Sequence, residues 1–243
     1  MIILQKKNFL IRLFLSFMLV FSGFYFEQCS KKEKIDPNEF PKVPNPVDCT
    51  DVDTREMFKE VGIDLDKLAV FSLDVLWTHS AWVVWNKNQL EQLYYDGRLR
   101  PTKIFRLPEK IGCEKKLILL RLPNNSLTEL PDSIGELYEL EELDLSYSLL
   151  GTLPQNFSYL RSLKKLVLLG NRLNYFPSEI LALKKLETLF LCALEVDQEI
   201  QIPYSITELP VLRSLCLPKV SEEKQKEILT WFKDRKDIII QFL

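Results

Sequence analysis

The sequence contains few of the residues on which enzyme chemistry depends. Its 243 residues include a single histidine, His79, and only seven glycines. Without a second histidine, or a spaced set of cysteines and carboxylates, the chain assembles neither a zinc site nor a triad with a serine or cysteine nucleophile. The glycines form no phosphate-binding loop. We therefore predict that the chain is not an enzyme and that it uses no cofactor or metal.

A basic excess and a long apolar run are also missing. The formal net charge is -2 at pH 7, and because a nucleic-acid-binding protein normally carries a basic surplus, that class is excluded. The apolar run at residues 13–26 is shorter than the roughly 20 residues that a membrane-spanning helix needs. It follows Lys6, Lys7 and Arg12, which is typical of a signal peptide. We predict that residues 1–29 are this signal and that the chain is exported.

The end of the signal has a distinctive cysteine. Cys29 lies three residues beyond the apolar run and is followed by Ser30, Lys31 and Lys32. This arrangement resembles a bacterial lipoprotein signal, although Gln28 stands where such signals prefer a small residue. The resemblance implies that Cys29 is the lipidated first residue of the mature chain, located in the cell envelope at the outer membrane or the cell surface. An uncleaved N-terminal anchor is the alternative.

The segment after the signal is predicted to be a tether. Residues 30–49 contain four prolines and many charged side chains, so they cannot bury enough apolar surface to order themselves. In an extended, proline-rich form, residues 30–47 would reach up to roughly 55 Å.

A pattern of 23 residues then dominates the chain. Leu117, Leu140, Leu163 and Leu186 open four successive copies at this constant spacing. The later positions of the first three copies are Leu120, Leu122, Asn125, Leu127, Leu130, Pro131, Ile134 and Leu137; Leu143, Leu145, Ser148, Leu150, Leu153, Pro154, Phe157 and Leu160; and Leu166, Leu168, Asn171, Leu173, Phe176, Pro177, Ile180 and Leu183. Such a period predicts units that bury their apolar faces by stacking on one another.

The order of residue types predicts the path of each copy. Alternating leucines favour a short strand with one buried face. An asparagine then satisfies backbone groups where the chain leaves the strand, and a proline favours an extended or short helical return. The motif LxxLxLxxNxLxxLPxxIxxL resembles the leucine-rich repeat family in its 23-residue form. This resemblance implies an α/β solenoid with a parallel sheet on its concave face, and that face usually binds another protein.

Less regular copies extend the predicted solenoid in both directions. A degenerate copy begins at Leu90 and a further strand at Leu212, so that the repeats cover residues 90–220. Because the first and last coils of a solenoid would otherwise expose their apolar faces, both ends need a cap. Residues 50–89 are predicted to form the N-terminal cap, and residues 221–243 a helix-strand C-terminal cap.

The N-terminal cap is predicted to contain two helices. Thr50 or Asp51 caps the first, which ends near Gly62, and residues 64–75 have the spacing of the second. Tryptophans and valines complete this cap by core packing: Trp77, Trp82, Val83, Val84 and Trp85.

The C-terminal cap is predicted to be one helix and one strand. Ser221 caps a helix that buries Ile228, Leu229 and Phe232, and residues 238–243 form the strand.

Four cysteines remain beside Cys29, an even number that favours disulfides in an exported protein. Cys192 and Cys216 are predicted to lie on adjacent strands, displaced by two residues in register. Their Cα atoms would then be about 8 Å apart, too far for an unstrained bridge, so we predict free thiols there. The state of Cys49 and Cys113 stays open.

The outward strand positions predict a contact surface, because clustered apolar side chains on an exposed sheet face are unusual unless a partner covers them. The predicted surface has Val167, Leu169, Phe190 and Cys192 at its centre, Tyr147 at its margin, and Arg121, Asp144 and Lys165 around them. Coverage by the C-terminal cap or by self-association is the alternative.

Two functional interpretations follow. The leading one is an exported, membrane-tethered module for adhesion or protein–protein interaction through the concave sheet face. The alternative is a structural envelope protein that associates with itself or with cell-wall polymer and has no specific partner.

Overall fold

The strands follow one another across a single sheet in chain order. A computed structural model describes residues 46–65, 68–70, 81–86, 89–99, 103–194 and 199–243, and the fold below concerns the unit Lys42–Leu243. The predicted signal peptide, Cys29, most of the tether, Trp77 and His79 lie outside the described residues.

Nine strands form the sheet within these ranges. They are β1 (Ala69–Val70), β2 (Ala81–Asn86), β3 (Gln89–Tyr95), β4 (Leu119–Arg121), β5 (Glu142–Asp144), β6 (Lys165–Val167), β7 (Thr188–Phe190), β8 (Ser214–Leu217) and β9 (Ile239–Phe242). β2 and β3 pair antiparallel, and every other neighbouring pair is parallel. The architecture is the predicted α/β solenoid with a parallel sheet.

The leucine period sets the register of the sheet. Leu120 pairs with Leu143, Leu143 with Leu166, and Leu166 with Leu189. All four side chains are fully buried. Because successive side chains of a strand point to opposite faces, this register directs one face into the core and leaves the other available for contacts. The predicted side-by-side parallel packing of the copies is confirmed.

Short 3-10 helices return the chain behind the sheet. They span Gly97–Leu99, Ile111–Cys113, Asp132–Glu136, Gln155–Tyr159, Ser178–Ala182 and Tyr204–Glu208. The last four each follow a proline. Proline has no backbone N–H to donate, but the start of a helix has no intrahelical partner for that group, so nothing is lost there. The predicted short helical return is therefore confirmed.

A ladder of buried polar side chains holds the turns after the strands. The side chain of Asn171 accepts a hydrogen bond from the Leu150 N–H at 3.0 Å and donates to the carbonyls of Leu145 and Leu168. Asn125 makes the equivalent hydrogen bonds two copies earlier in the chain. Ser148 occupies the same position in the copy between them, and its buried hydroxyl has no partner.

The N-terminal cap differs from its prediction in two ways. Helix α1 (Thr54–Lys59) is capped by Asp53, whose carboxylate accepts from the N–H groups of Arg55 and Glu56, rather than by Thr50 or Asp51. The second predicted helix is wrong at Ala69–Val70, which form β1 beside β2. The hairpin of β2 and β3 offers a free edge, and strand pairing there satisfies the backbone in place of a helix.

The C-terminal cap contains helix α2 (Glu222–Trp231) and β9. The Ser221 hydroxyl accepts from the Lys224 N–H at 3.3 Å, as predicted. Ile228 and Phe232 are buried, but the prediction for Leu229 is wrong because 49% of it is exposed. Positions four residues apart share a helix face, and Leu229 is turned away from that face. Among the described residues, no helix has the length and apolar character needed to cross a membrane.

Candidate interaction surface

The candidate surface is the face of β4 to β8 opposite the leucine core, called the sheet face below. Four predicted residues form one row across it, since Arg121 pairs with Asp144, Asp144 with Val167, and Val167 with Phe190. Lys165 lies two residues before Val167 on β6. The fold therefore brings residues from four copies into adjacent positions.

An apolar cluster, separate from the leucine core, occupies the C-terminal half of this face. It consists of Val167, Leu169, Cys192 and Cys216, with Phe190 packed against it. The structure brings the predicted residues Val167, Leu169, Phe190 and Cys192 together, but their expected exposure is wrong for all except Phe190. Exposure is only 7% for Val167 and 2% for Cys192, because strands about 4.8 Å apart let neighbouring side chains cover one another. Phe190 is the half-buried member that a partner can reach.

A disulfide joins Cys192 to Cys216 inside this cluster, which contradicts the prediction of free thiols. The predicted displacement is present, since Phe190 rather than Cys192 pairs with Cys216. The error lies in the assumption of a straight strand. β7 ends at Phe190, so Cys192 lies beyond the regular strand, and the two cysteine Cα atoms are 5.4 Å apart. That distance lies within the normal range for a disulfide.

A second disulfide, left open by the sequence, links Cys49 to Cys113. It fastens the segment before α1 to the 3-10 helix Ile111–Cys113 of the first coil.

An ion-pair network occupies the N-terminal half of the sheet face. The Arg121 guanidinium donates to both carboxylate oxygens of Glu142, at 2.8 and 2.6 Å. The Lys165 ammonium lies 2.7 Å from the same carboxylate. The sequence-based site omitted Glu142, although its strand position lies directly beside that of Lys165 in the repeat. Opposite charges at neighbouring outward positions were the signal that would have found it.

The two carboxylates of this half have opposite electrostatic environments. Burial alone would raise the pKa of Glu142, but the ion pairs with Arg121 and Lys165 outweigh it and hold the pKa below its usual value. Burial raises the pKa of Asp144, and the hydrogen bond from the Ser146 N–H at 2.9 Å only partly offsets it. Glu142 is therefore held as an anion, whereas the charge of Asp144 is disfavoured.

Tyr147 borders the surface just beyond β5. It is 48% exposed, and its backbone has a positive φ of 54°. Its ring lies against Gly170 so closely that an added Cβ there would approach Cδ1 to 2.5 Å. Glycine at position 170, whose φ is 68°, leaves room for this ring.

The described residues contain no group of three histidine, cysteine or acidic side chains that could hold a metal ion.

Comparison with protein-family models gives one match, within the repeats. Residues 115–173 match the family model described as leucine rich repeat. Comparison with curated protein sequences gives no significant match.

Three solved structures are among those to which the chain is similar. The ectodomain of the receptor kinase SOBIR1 from Arabidopsis thaliana is 22% identical, over 64% of this chain and 70% of that one, with a TM-score of 0.42. A leucine-rich repeat protein of Leptospira interrogans is 25% identical, over 64% and 54%, with a TM-score of 0.31. The plant peptide hormone receptor RGFR1, in complex with RGF2, is 22% identical over 63% of this chain, with a TM-score of 0.48. The match spans only 24% of that receptor's own chain. The matched segment and the in-register parallel strands built from it make residues 115–173 leucine-rich repeats.

Proposed function

We propose that the chain is an exported, membrane-tethered leucine-rich repeat protein that captures a protein partner on its sheet face. The observation that carries the proposal is the position of Phe190. Its half-buried ring packs against a cluster held by the Cys192–Cys216 disulfide. An aromatic anchor on a rigid support has the character of a binding hot spot.

The charged neighbours give this anchor a polar rim. Arg121, Glu142 and Lys165 satisfy one another in a network on the adjoining strands. Because these side chains are already fixed, a partner that covers them would pay little further ordering entropy. An apolar centre beside a polar rim is the usual anatomy of a protein interface.

Photo-crosslinking at position 190 tests the proposal. A photoreactive phenylalanine analogue replaces Phe190 in one full-length variant and Phe105, which is 66% exposed, in a matched control. We expect a specific adduct with another protein from position 190 and none from position 105. The absence of a 190-specific adduct would refute partner capture by this face. An adduct of twice the mass of the chain would instead support the self-associating structural protein.

Two aspartate substitutions test whether partner capture depends on the Phe190 side chain. Phe190→Asp places a charge at the anchor and should reduce adduct formation from a probe at Tyr147 by more than tenfold, while Phe105→Asp leaves it unchanged. Both positions lie outside the leucine core, so the thermal midpoint should stay within about 2 °C in each variant.

The tether is tested by labelling cells with a fatty-acid analogue. We expect the label on the full chain and none on Cys29→Ala, with Ser30→Ala as the control that keeps it. Equal labelling of the Cys29→Ala chain would contradict lipidation at this residue.

A further inference from the structure

The last strand presents an open edge. Among the described strands, β9 pairs only with β8. The Ile239 N–H donates to the Arg213 carbonyl and the Leu243 N–H to the Leu217 carbonyl. In a parallel pair, alternate residues direct both backbone groups to the same neighbour. Ile240 and Phe242 therefore point their N–H and C=O groups away from β8, towards the free edge.

This edge lacks the features that normally prevent strand addition. Natural edge strands carry charged side chains, proline or bulges, whereas residues 239–243 read Ile-Ile-Gln-Phe-Leu. On the sheet face, Ile239 is 54% exposed and Leu243 is 61% exposed. On the opposite face, Ile240 and Phe242 pack partly against the core. Residues 239–243 thus carry no charged side chain, are mostly apolar, and are held in position by the folded unit.

Leu243 has a fixed place in this arrangement. Its carbonyl accepts from the N–H groups of Lys219 and Ala193, at 3.0 and 3.2 Å. The backbone is therefore held on both sides of the outward-facing pair Ile240 and Phe242, which leaves the edge straight enough to serve as a template for another strand.

The sequence of the edge is complementary to itself. We propose that a second copy of this chain adds its own β9 antiparallel to β9, across a two-fold axis at Gln241. Ile240 then exchanges two backbone hydrogen bonds with Phe242 of the second copy, and the symmetric pair supplies two more. On the sheet face, Ile239 lies opposite Leu243 of the second copy. Each exposed apolar residue is covered by the other, as an isologous interface requires.

The neighbouring register is less complementary. A two-fold axis at Ile240 would place Ile239 opposite Gln241 of the second copy, so that an amide faces an apolar side chain. The axis at Gln241 instead pairs the two glutamines with each other. A two-fold pairing uses the β9 edge of both copies, so an assembly through this edge closes at two chains.

The dimer would join two sheet faces. Cys216 pairs with Gln241 across β8 and β9, so the two apolar clusters would lie on either side of the two-fold axis. This inference does not depend on capture of another protein at Phe190, which is on β7.

Sedimentation velocity on the full chain in excess non-ionic detergent measures the assembly directly. We expect a dimer for the native chain and a monomer for Ile239→Lys, because an edge lysine opposes strand addition. Val211→Lys is the matched control at a residue that is 39% exposed, and it should stay dimeric. A native monomer, or a dimer that Ile239→Lys does not weaken at least tenfold, would overturn the proposal.

Cysteine crosslinking tests the register without disturbing the core. In a Cys29→Ala background, Gln241→Cys places two thiols on the axis, where opposed Cα atoms of a non-hydrogen-bonded pair are about 4.5 Å apart. Ile239→Cys is the control on the same face of the same strand. We expect mild oxidation to crosslink Gln241→Cys at least tenfold faster than Ile239→Cys. A mixture of Ile239→Cys and Leu243→Cys chains should crosslink to each other. Equal rates for the two single variants would reject the axis at Gln241.

Discussion

Cys192 lies two residues beyond the strand position that pairs with Cys216, yet the two residues form a disulfide with their Cα atoms 5.4 Å apart. Cys192 lies beyond the last residue of β7, where the chain no longer follows the regular strand. The bond closes a sequence separation of 24 residues and forms part of the cluster under Phe190.

Removal of this bond should destabilise the chain. We expect the double variant Cys192→Ser and Cys216→Ser to lose about 3 kcal/mol in the free energy of unfolding, because a loop of this length becomes free in the unfolded state. Guanidinium unfolding measures the loss. Thiol titration of the denatured, unreduced chain is the control, since at most Cys29 can then react, and only where it is not lipidated. Three or more reactive thiols in the native chain would contradict the disulfide assignments.

The asparagine ladder predicts a large effect at one position. Asn171→Ala should lower the free energy of unfolding by roughly 3 kcal/mol, because the buried Leu150 N–H and the carbonyls of Leu145 and Leu168 lose their partner. Asn174→Ala, at an exposed position in the same copy, should change it by less than about 0.5 kcal/mol. Similar losses in the two variants, measured by urea unfolding, would count against the ladder.

The position of Ser148, where the ladder has no asparagine, predicts a substitution that increases stability. Ser148 is 3% exposed, and its hydroxyl has no hydrogen-bond partner. By the spacing seen at Asn171, an asparagine at 148 would reach the Leu127 N–H and the carbonyls of Leu122 and Leu145. Ser148→Asn should therefore raise the free energy of unfolding by about 1 kcal/mol. A lower thermal midpoint would mean that the coil cannot accommodate the longer side chain.

The pH dependence of Glu142→Gln follows from the depressed pKa of Glu142. A group whose pKa is lower in the folded state stabilises the fold above its unfolded pKa and loses that effect as the pH falls through the folded value. We expect Glu142→Gln to cost roughly 2 kcal/mol at neutral pH and little in strong acid. Glu139→Gln, at the more exposed pair with Lys116, should show almost no change at either pH. Thermal unfolding at several pH values measures both.

Asp144→Asn should behave in the opposite way. The raised pKa of Asp144 means that its ionised form opposes folding above the folded-state pKa and has no effect below the unfolded value. The variant should be more stable than the native chain at neutral pH, with an advantage that disappears in acid. A loss of stability at neutral pH would show that the attraction of Asp144 to Lys165 and Arg121 exceeds its burial cost.

The leucine register was predictable because one period fixes both the buried face and the neighbour of every strand. Leu143 pairs with Leu166 because the two occupy the same position in successive repeats, 23 residues apart. The approach of Cys192 to Cys216 and the role of Glu142 were not predictable, because they depend on local chain direction and on side-chain contacts between copies. The helix predicted for residues 64–75 is wrong at Ala69–Val70, because helical spacing does not reveal a free sheet edge nearby. Lipidation at Cys29 stays a prediction.

The two disulfides lie towards opposite ends of the stack of coils, Cys49–Cys113 near its beginning and Cys192–Cys216 near its finish. In a stack where each unit touches only its neighbours, order is lost first from the terminal units. The covalent bonds therefore hold the coils where fraying would start, while the regular middle coils are held by leucine packing, asparagine hydrogen bonds and the ion pairs of Glu142. Under reducing conditions the molecule should unravel from both ends inward, and amide hydrogens of β5 should be the last to exchange.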